Sequence, residues 1–195
     1  GQTYTNIPDS DGRRIQIAWG RISHPGMPFN GMMLLPTELT LHTTKEGIRL
    51  FSNPIKETKQ LFTPLKKWAS LTSDKANDHL KEFRNAGTLR IKTTFKLSHA
   101  TSAGIDLFGQ RILDYDMNAN TINSVFYSPE DRNSMELTAD IYIDKTSIEV
   151  FIDGGIYSYS MERKAAKNNQ DGICFWGNNI DIKNLEIFSV KSIWN

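Results

Sequence analysis

Short runs in which apolar and polar residues alternate recur along most of this sequence, and Gly, Asn and Asp separate them. Ile15 and Ile17 alternate with charged and amide side chains, and Leu39 and Leu41 alternate with other polar residues. A period of two residues is that of a β-strand with one buried face. The pattern therefore predicts an all-β chain, and the number of short strands favours an antiparallel β-sandwich over alternating helices and strands.

The same pattern divides the chain into three segments. Residues 1–56 are predicted to form an antiparallel meander with a turn at Glu46 and Gly47. Residues 57–86 alternate less and contain more Lys, Asp, Glu and Ala, and they are predicted to be a linker with a short helix. Residues 87–195 are predicted to form the sandwich. Its strands are expected over residues 89–97, 105–108, 110–115, 121–127, 135–143, 147–152, 156–161, 172–176 and 182–193.

The charge balance argues against two classes of partner. The 23 basic residues nearly match the 22 acidic ones, so a formal net charge of +1 provides no basic surface for nucleic acid or for an anionic membrane. No apolar run approaches the roughly 20 residues that span a bilayer. We therefore expect no nucleic-acid or membrane partner and a neutral, sugar-like ligand. Cys174 lies in an apolar run and is predicted to be a buried thiol.

A set of motifs near the amino terminus has the order and spacing of one enzyme family. The motifs are Asp11-Gly12-Arg13-Arg14, Ala18-Trp19, Phe29-Asn30-Gly31-Met32-Met33, Leu35-Pro36-Thr37-Glu38-Leu39, Gly47-Ile48-Arg49-Leu50 and Asn53-Pro54-Ile55-Lys56-Glu57. With them the segment resembles the last propeller blade of glycoside hydrolase family 32, which includes levanases, inulinases and invertases. Thr37 and Gly20 stand where the family usually has Arg and Met. The stretch Ser147-Ile148-Glu149-Val150-Phe151 resembles the family's carboxyl-terminal module.

The resemblance implies that residues 1–56 are the remnant of the last blade of a five-bladed β-propeller and precede an antiparallel β-sandwich module. The family's catalytic carboxylates come from W-x-N-D-P-N-G, E-C and R-D-P motifs, and this sequence contains none of the three. Retaining glycosidases need two such groups about 5 to 5.5 Å apart. The chain is therefore expected to be inactive alone, while its parent cleaves levan, inulin or sucrose through a covalent fructosyl intermediate. No metal or cofactor is expected, because the histidines lack metal-ligand spacing.

Three residues are candidate substrate contacts. The resemblance places Trp19 at the rim or wall of the fructose pocket, where its ring would pack against the apolar face of a sugar. Phe29 and Asn30 lie in the following loop and are further candidates. The alternative for Trp19 is a structural position in the core of the blade.

One role for the sandwich is structural. In this role the sandwich packs on the catalytic propeller of the same polypeptide and stabilises it, or it mediates a homodimer. Apolar surface near Trp19, Met32 and Met33 is then expected to be exposed in this chain and to cause self-association. The parent is expected to be secreted, periplasmic or attached to the cell surface, because polymeric fructan is extracellular.

A second role makes the sandwich a carbohydrate-binding module that holds fructan. Exposed aromatic side chains would then have to line a groove. The candidates are Phe108, Tyr115, Tyr127, Tyr157 and Tyr159. A lectin-like protein in its own right is disfavoured, because an independent lectin would have no reason to keep a lone propeller blade.

Overall fold

The computed structural model describes residues 1–98, 101–128, 135–165, 172–177 and 179–192. Its strand pairs are antiparallel, which confirms the predicted all-β class. Within the described residues, no helix has the length and apolar character that a membrane crossing requires.

A four-stranded sheet forms the first part of the chain, as predicted for a propeller blade. Its strands and those of an adjacent two-stranded ribbon are β1 (Gln2–Thr3), β2 (Arg14–Ile17), β3 (Trp19–Gly20), β4 (Met32–Met33), β5 (Thr37–Thr44) and β6 (Gly47–Pro54). The sheet has the order β1-β2-β5-β6, and β3 pairs with β4 in the ribbon. We call the four-stranded sheet the blade sheet. The turn lies one residue before its predicted position, because Thr44 pairs with Gly47 and leaves Lys45 and Glu46 between β5 and β6.

Two packed sheets form the rest of the chain. Their elements are β7 (Phe62–Thr72), α1 (Ser73–Leu80), β8 (Leu89–Leu97), β9 (Ser102–Leu107), β10 (Gln110–Asp116), β11 (Thr121–Ile122), β12 (Val125–Phe126), β13 (Glu136–Ile143), β14 (Ser147–Ile152), β15 (Tyr157–Glu162), β16 (Ile173–Trp176) and β17 (Ile180–Val190). One sheet has the order β15-β14-β13-β8-β17-β7, and the other has the order β12-β11-β10-β9-β16. The predicted sandwich is therefore confirmed.

The core of the sandwich follows from the two-residue period. Along β8, Leu89, Ile91 and Phe95 are buried between the sheets, while Lys92 and Lys96 alternate with them and are only partly buried. Burying such apolar side chains contributes about 1.5 to 3 kcal/mol each. Cys174 is half-buried rather than buried, because the neighbouring apolar residues of β16 occupy the inward positions.

The segment predicted to be a linker instead contains the long strand β7 as well as helix α1. β7 pairs with β17 from Phe62 to Thr72 and forms one edge of the sandwich sheet. Most of its side chains are exposed, so the strand lacks the apolar alternation that marks a central strand. The helix lies where the sequence indicated one. The side chain of Thr72 caps it, and Ala76 and Leu80 join the core.

The blade sheet packs against the outer face of the sandwich. Every residue of β14 is buried, although only alternate residues of a strand can face the core between the two sheets. Asn53 of β6 donates a hydrogen bond to the backbone oxygen of Gly154. Gly155 has a φ of +88°, and a Cβ at this position would clash with the backbone oxygen of Ser52. Glycine therefore permits a close approach that a larger residue would block.

Candidate functional site

Trp19 lies on β3, beside the blade sheet. It pairs with Met33, and its side chain is 70% exposed. Within this chain, Trp19 therefore does not pack in the core of the blade. Gly31, with a φ of +84°, supports the ring, because a Cβ there would lie 2.5 Å from Trp19 Nε1. Glycine thus lets the loop approach the indole closely while most of the ring faces solvent.

An open cavity of about 420 Å³ lies next to Trp19. This volume falls within the range of small-ligand sites, roughly 300 to 1,000 Å³. Among the candidate residues, Trp19 and Asn30 come together at the cavity, but Phe29 does not line it. The ring of Phe29 instead contacts that of His24, at 5.2 Å between centroids. The cavity is lined by Trp19, Arg21, Ile22, Ser23, Asn30 and Gly31.

The segment from residue 19 to residue 24 alternates strictly between exposed and buried positions. Trp19, Arg21 and Ser23 form the exposed row, and all three line the cavity. Ile22 and His24 form the buried row, and the burial of their side chains fixes the backbone of this segment. Arg21 and Ser23 were missed from the sequence, although extending the two-residue period beyond Trp19 would have found them.

His24 anchors this segment to the sandwich. Its Nδ1 forms a hydrogen bond with the hydroxyl of Thr146, at 2.6 Å, and Thr146 lies in the turn between β13 and β14. Its Nε2 is buried and has no hydrogen-bond partner within the described part of the chain. The cavity beside Trp19 is therefore positioned by a contact across the two units.

Glu149 makes a second contact across the two units, and it was not predicted as a functional group. This residue of β14 is only 7% exposed, and both its carboxylate oxygens accept from the backbone N–H of Leu35, at 3.2 and 3.1 Å. Burial raises the pKa of the carboxyl group to about 7. The Leu35 hydrogen bond partly opposes this rise, and the charge of Asp144 adds to it.

The aromatic residues considered for a carbohydrate-binding groove are largely enclosed. Tyr115 and Tyr127 are buried in the sandwich core. Tyr159 donates a hydrogen bond to the backbone oxygen of Ile112, at 2.7 Å. Tyr157 packs, half-buried, against the same core. The ring of Phe108 is covered by the guanidinium of Arg163, 5.2 Å from its centroid.

The cavity combines groups that suit a polyhydroxylated ligand. Trp19 offers an aromatic face, while Arg21, Ser23 and Asn30 offer hydrogen-bonding side chains. No carboxylate lines it within the described residues. It therefore has the groups to bind a sugar but not the paired carboxyl groups that glycoside hydrolysis requires.

Comparisons with known proteins identify two levanases among the relatives. The levanase of Bacillus subtilis (strain 168) is 23% identical over 98% of this chain. The levanase of Bacillus sp. (strain L7) is 24% identical over the same share. The chain spans 33% and 24% of the length of these two proteins. No family model matches the chain.

Solved structures show the same fold. The exo-inulinase of Aspergillus awamori matches with a TM-score of 0.65 and 15% identity, over 93% of this chain and 41% of that protein. Fructan 1-exohydrolase IIa of Cichorium intybus matches with a TM-score of 0.63 and 18% identity, over 98% of this chain and 48% of that protein. The chain is therefore similar in sequence to two levanases and shares the fold of part of the exo-inulinase and of the fructan exohydrolase, which agrees with the resemblance seen in its motifs.

Proposed function

We propose that this chain is the accessory, structural part of a fructan-hydrolysing retaining glycosidase, and that it stabilises or assembles the catalytic propeller. The observation that carries the proposal is the interface between the two units. Glu149, on the outward face of β14, is buried on the side of the blade sheet and contacts Leu35, while Ile148, Val150 and Ile152 belong to the sandwich core. The segment that carries Trp19 is attached to the same side through His24 and Thr146. We propose that the sandwich stabilises the blade sheet by packing against it.

The opposite side of the blade supports the same role. Leu41 pairs with Leu50, and Ile48 pairs with Thr43, so their side chains share one face of the hairpin. Leu41 and Ile48 are each 71% exposed, and Leu50 is 54% exposed. Burying apolar surface contributes about 25 cal/mol per Å². We propose that the other blades of the propeller cover this face in the parent enzyme.

The chemistry proposed for the parent is the retaining hydrolysis of β-fructosyl linkages in levan, inulin or sucrose. The names of the levanase relatives and the sugar-compatible cavity at Trp19 support this substrate class. The chain contributes none of the family's catalytic carboxylate motifs. We expect no steady release of fructose above a blank when the chain is incubated with levan. Because levan is a polymer, we also propose that the parent acts outside the cell.

A surface test addresses the structural role. The double variant Leu41→Ser/Ile48→Ser should reduce binding of an apolar dye and shift sedimentation towards the monomer. The double variant Val125→Ser/Phe126→Ser is the matched control, since these exposed residues lie on β12 of the sandwich. Wild-type chain that is strictly monomeric and binds no dye would contradict the proposal.

The aromatic side chains considered for a carbohydrate-binding module in the sandwich do not form an open groove within the described residues. Tyr115 and Tyr127 are buried, and the ring of Phe108 is covered by Arg163. A levan pull-down separates the two roles. If the Trp19→Ala variant retains as much levan as wild type, the carbohydrate-binding module is favoured, because the levan-binding surface would then lie on the sandwich.

A further inference from the structure

Arg21 stands at the centre of the cavity's exposed row. Trp19 and Ser23 flank it, two residues away on either side, and Asn30 lies further along the same connection between β3 and β4. Because Ile22 is buried between them, the backbone cannot rotate Arg21 away without exposing an apolar side chain. The fold therefore places Arg21 in the same exposed row as Trp19, at the lining of the cavity.

The charge of Arg21 is not neutralised within the described residues. Arg13, Arg49, Arg90 and Arg111 each form an ion pair with a carboxylate, and Arg21 forms none. The cavity also lacks a lining carboxylate in the described part of the chain. The N–H donors of Arg21 are thus directed to solvent or to a ligand in the cavity.

We infer that Arg21 is a specificity-determining residue for a neutral fructosyl ring bound in this cavity. The ring stacks on Trp19, and the planar guanidinium donates two parallel hydrogen bonds to a pair of neighbouring hydroxyl oxygens. Ser23 and Asn30 add hydrogen bonds at the rim. This inference rests on the proposed function, because the substrate class comes from it.

A phosphorylated sugar is the competing ligand, because guanidinium groups also bind phosphate through two parallel hydrogen bonds. The composition of the cavity favours the neutral ring. Arg21 is the one cationic side chain among the lining residues, and an exposed aromatic face such as that of Trp19 suits the C–H face of a sugar. Titrating the chain with each of the two ligands distinguishes between them.

The test is a titration of the chain with 1-kestose and, separately, with fructose 6-phosphate, followed through the indole N–H signals in NMR spectra. Wild-type chain should bind 1-kestose saturably. Arg21→Gln should weaken this binding at least tenfold. Arg21→Lys should weaken it less, because lysine keeps the positive charge but cannot donate two parallel hydrogen bonds. Arg14→Gln is the control, since Arg14 is exposed on β2 and does not line the cavity. It should leave the affinity unchanged.

Three results would overturn the inference. They are an unchanged affinity in Arg21→Gln, binding of fructose 6-phosphate that depends on Arg21 and exceeds that of 1-kestose, and no saturable binding of 1-kestose. A melting temperature within a few degrees of wild type establishes that each variant is folded. The proposed structural role is tested independently of this inference, because its test changes Leu41 and Ile48, which lie on another face of the chain.

Discussion

Replacing Glu149 with glutamine should increase the stability of this protein at alkaline pH. The carboxyl group is buried, and its pKa rises from the ordinary value of 4.5 to about 7. At about 1.4 kcal/mol for each pKa unit, this rise corresponds to about 3 kcal/mol. The folded state holds the proton more tightly than the unfolded state. The stabilisation is therefore complete below about pH 4.5 and is lost as the pH rises through about 7.

Glutamine removes the ionisation but keeps an oxygen that can accept from the N–H of Leu35. Glu149→Gln should therefore unfold at a higher urea concentration than wild type at pH 8, with a gain approaching about 3 kcal/mol. At pH 4.5 the two proteins should differ by less than about 1 kcal/mol, because both side chains are then neutral. The measurement is urea unfolding followed by far-UV circular dichroism at both pH values.

Glu162→Gln is the matched control. Glu162 lies on the neighbouring strand β15, and its side chain is exposed. This variant should not change the difference in stability between the two pH values. A Glu149→Gln variant that is equally stable to wild type at both pH values, or less stable than wild type at pH 8, would refute the reasoning from burial.

Two further predictions concern the same interface. Gly155→Ala should destabilise the chain by more than about 2 kcal/mol, because its Cβ meets Ser52. Gly47→Ala should cost only about 1 kcal/mol, because its φ is positive but nothing lies within 4 Å. A Gly155→Ala variant with the same melting temperature as Gly47→Ala would contradict this prediction. Thr146→Val should cost about 1 to 3 kcal/mol by leaving His24 Nδ1 without a partner. An unchanged melting temperature would refute it.

Much of the strand pattern could be predicted, because a half-buried strand leaves a two-residue period. That period correctly indicated β2, β5 and β8. It failed for β7, because an edge strand with exposed side chains has no buried face to leave a pattern. It also joined β11 and β12 into one strand, since Asn123 and Ser124 both adopt positive φ in the turn between them.

The candidate site was predicted only in part. Trp19 was found through a family resemblance and Asn30 through its place in the following loop, and the structure brings both to one cavity. In the sequence, Glu149 was identified as part of a strand and of the motif that resembles the family's carboxyl-terminal module, but not as a functional group. Its environment depends on Leu35, which lies 114 residues away, so no local pattern encodes it. Contacts of this kind require the packing of the two units to be known.

The most direct test of the central claim is hydrogen exchange of the intact chain, followed by mass spectrometry of its peptides. If the sandwich stabilises the blade, the opening free energy measured for peptides from β5 and β6 should equal that measured for peptides from β13 and β14. Rapid exchange of β5 and β6 beside a protected sandwich would contradict the account, because the blade strands would then open independently of the module and gain no stability from it.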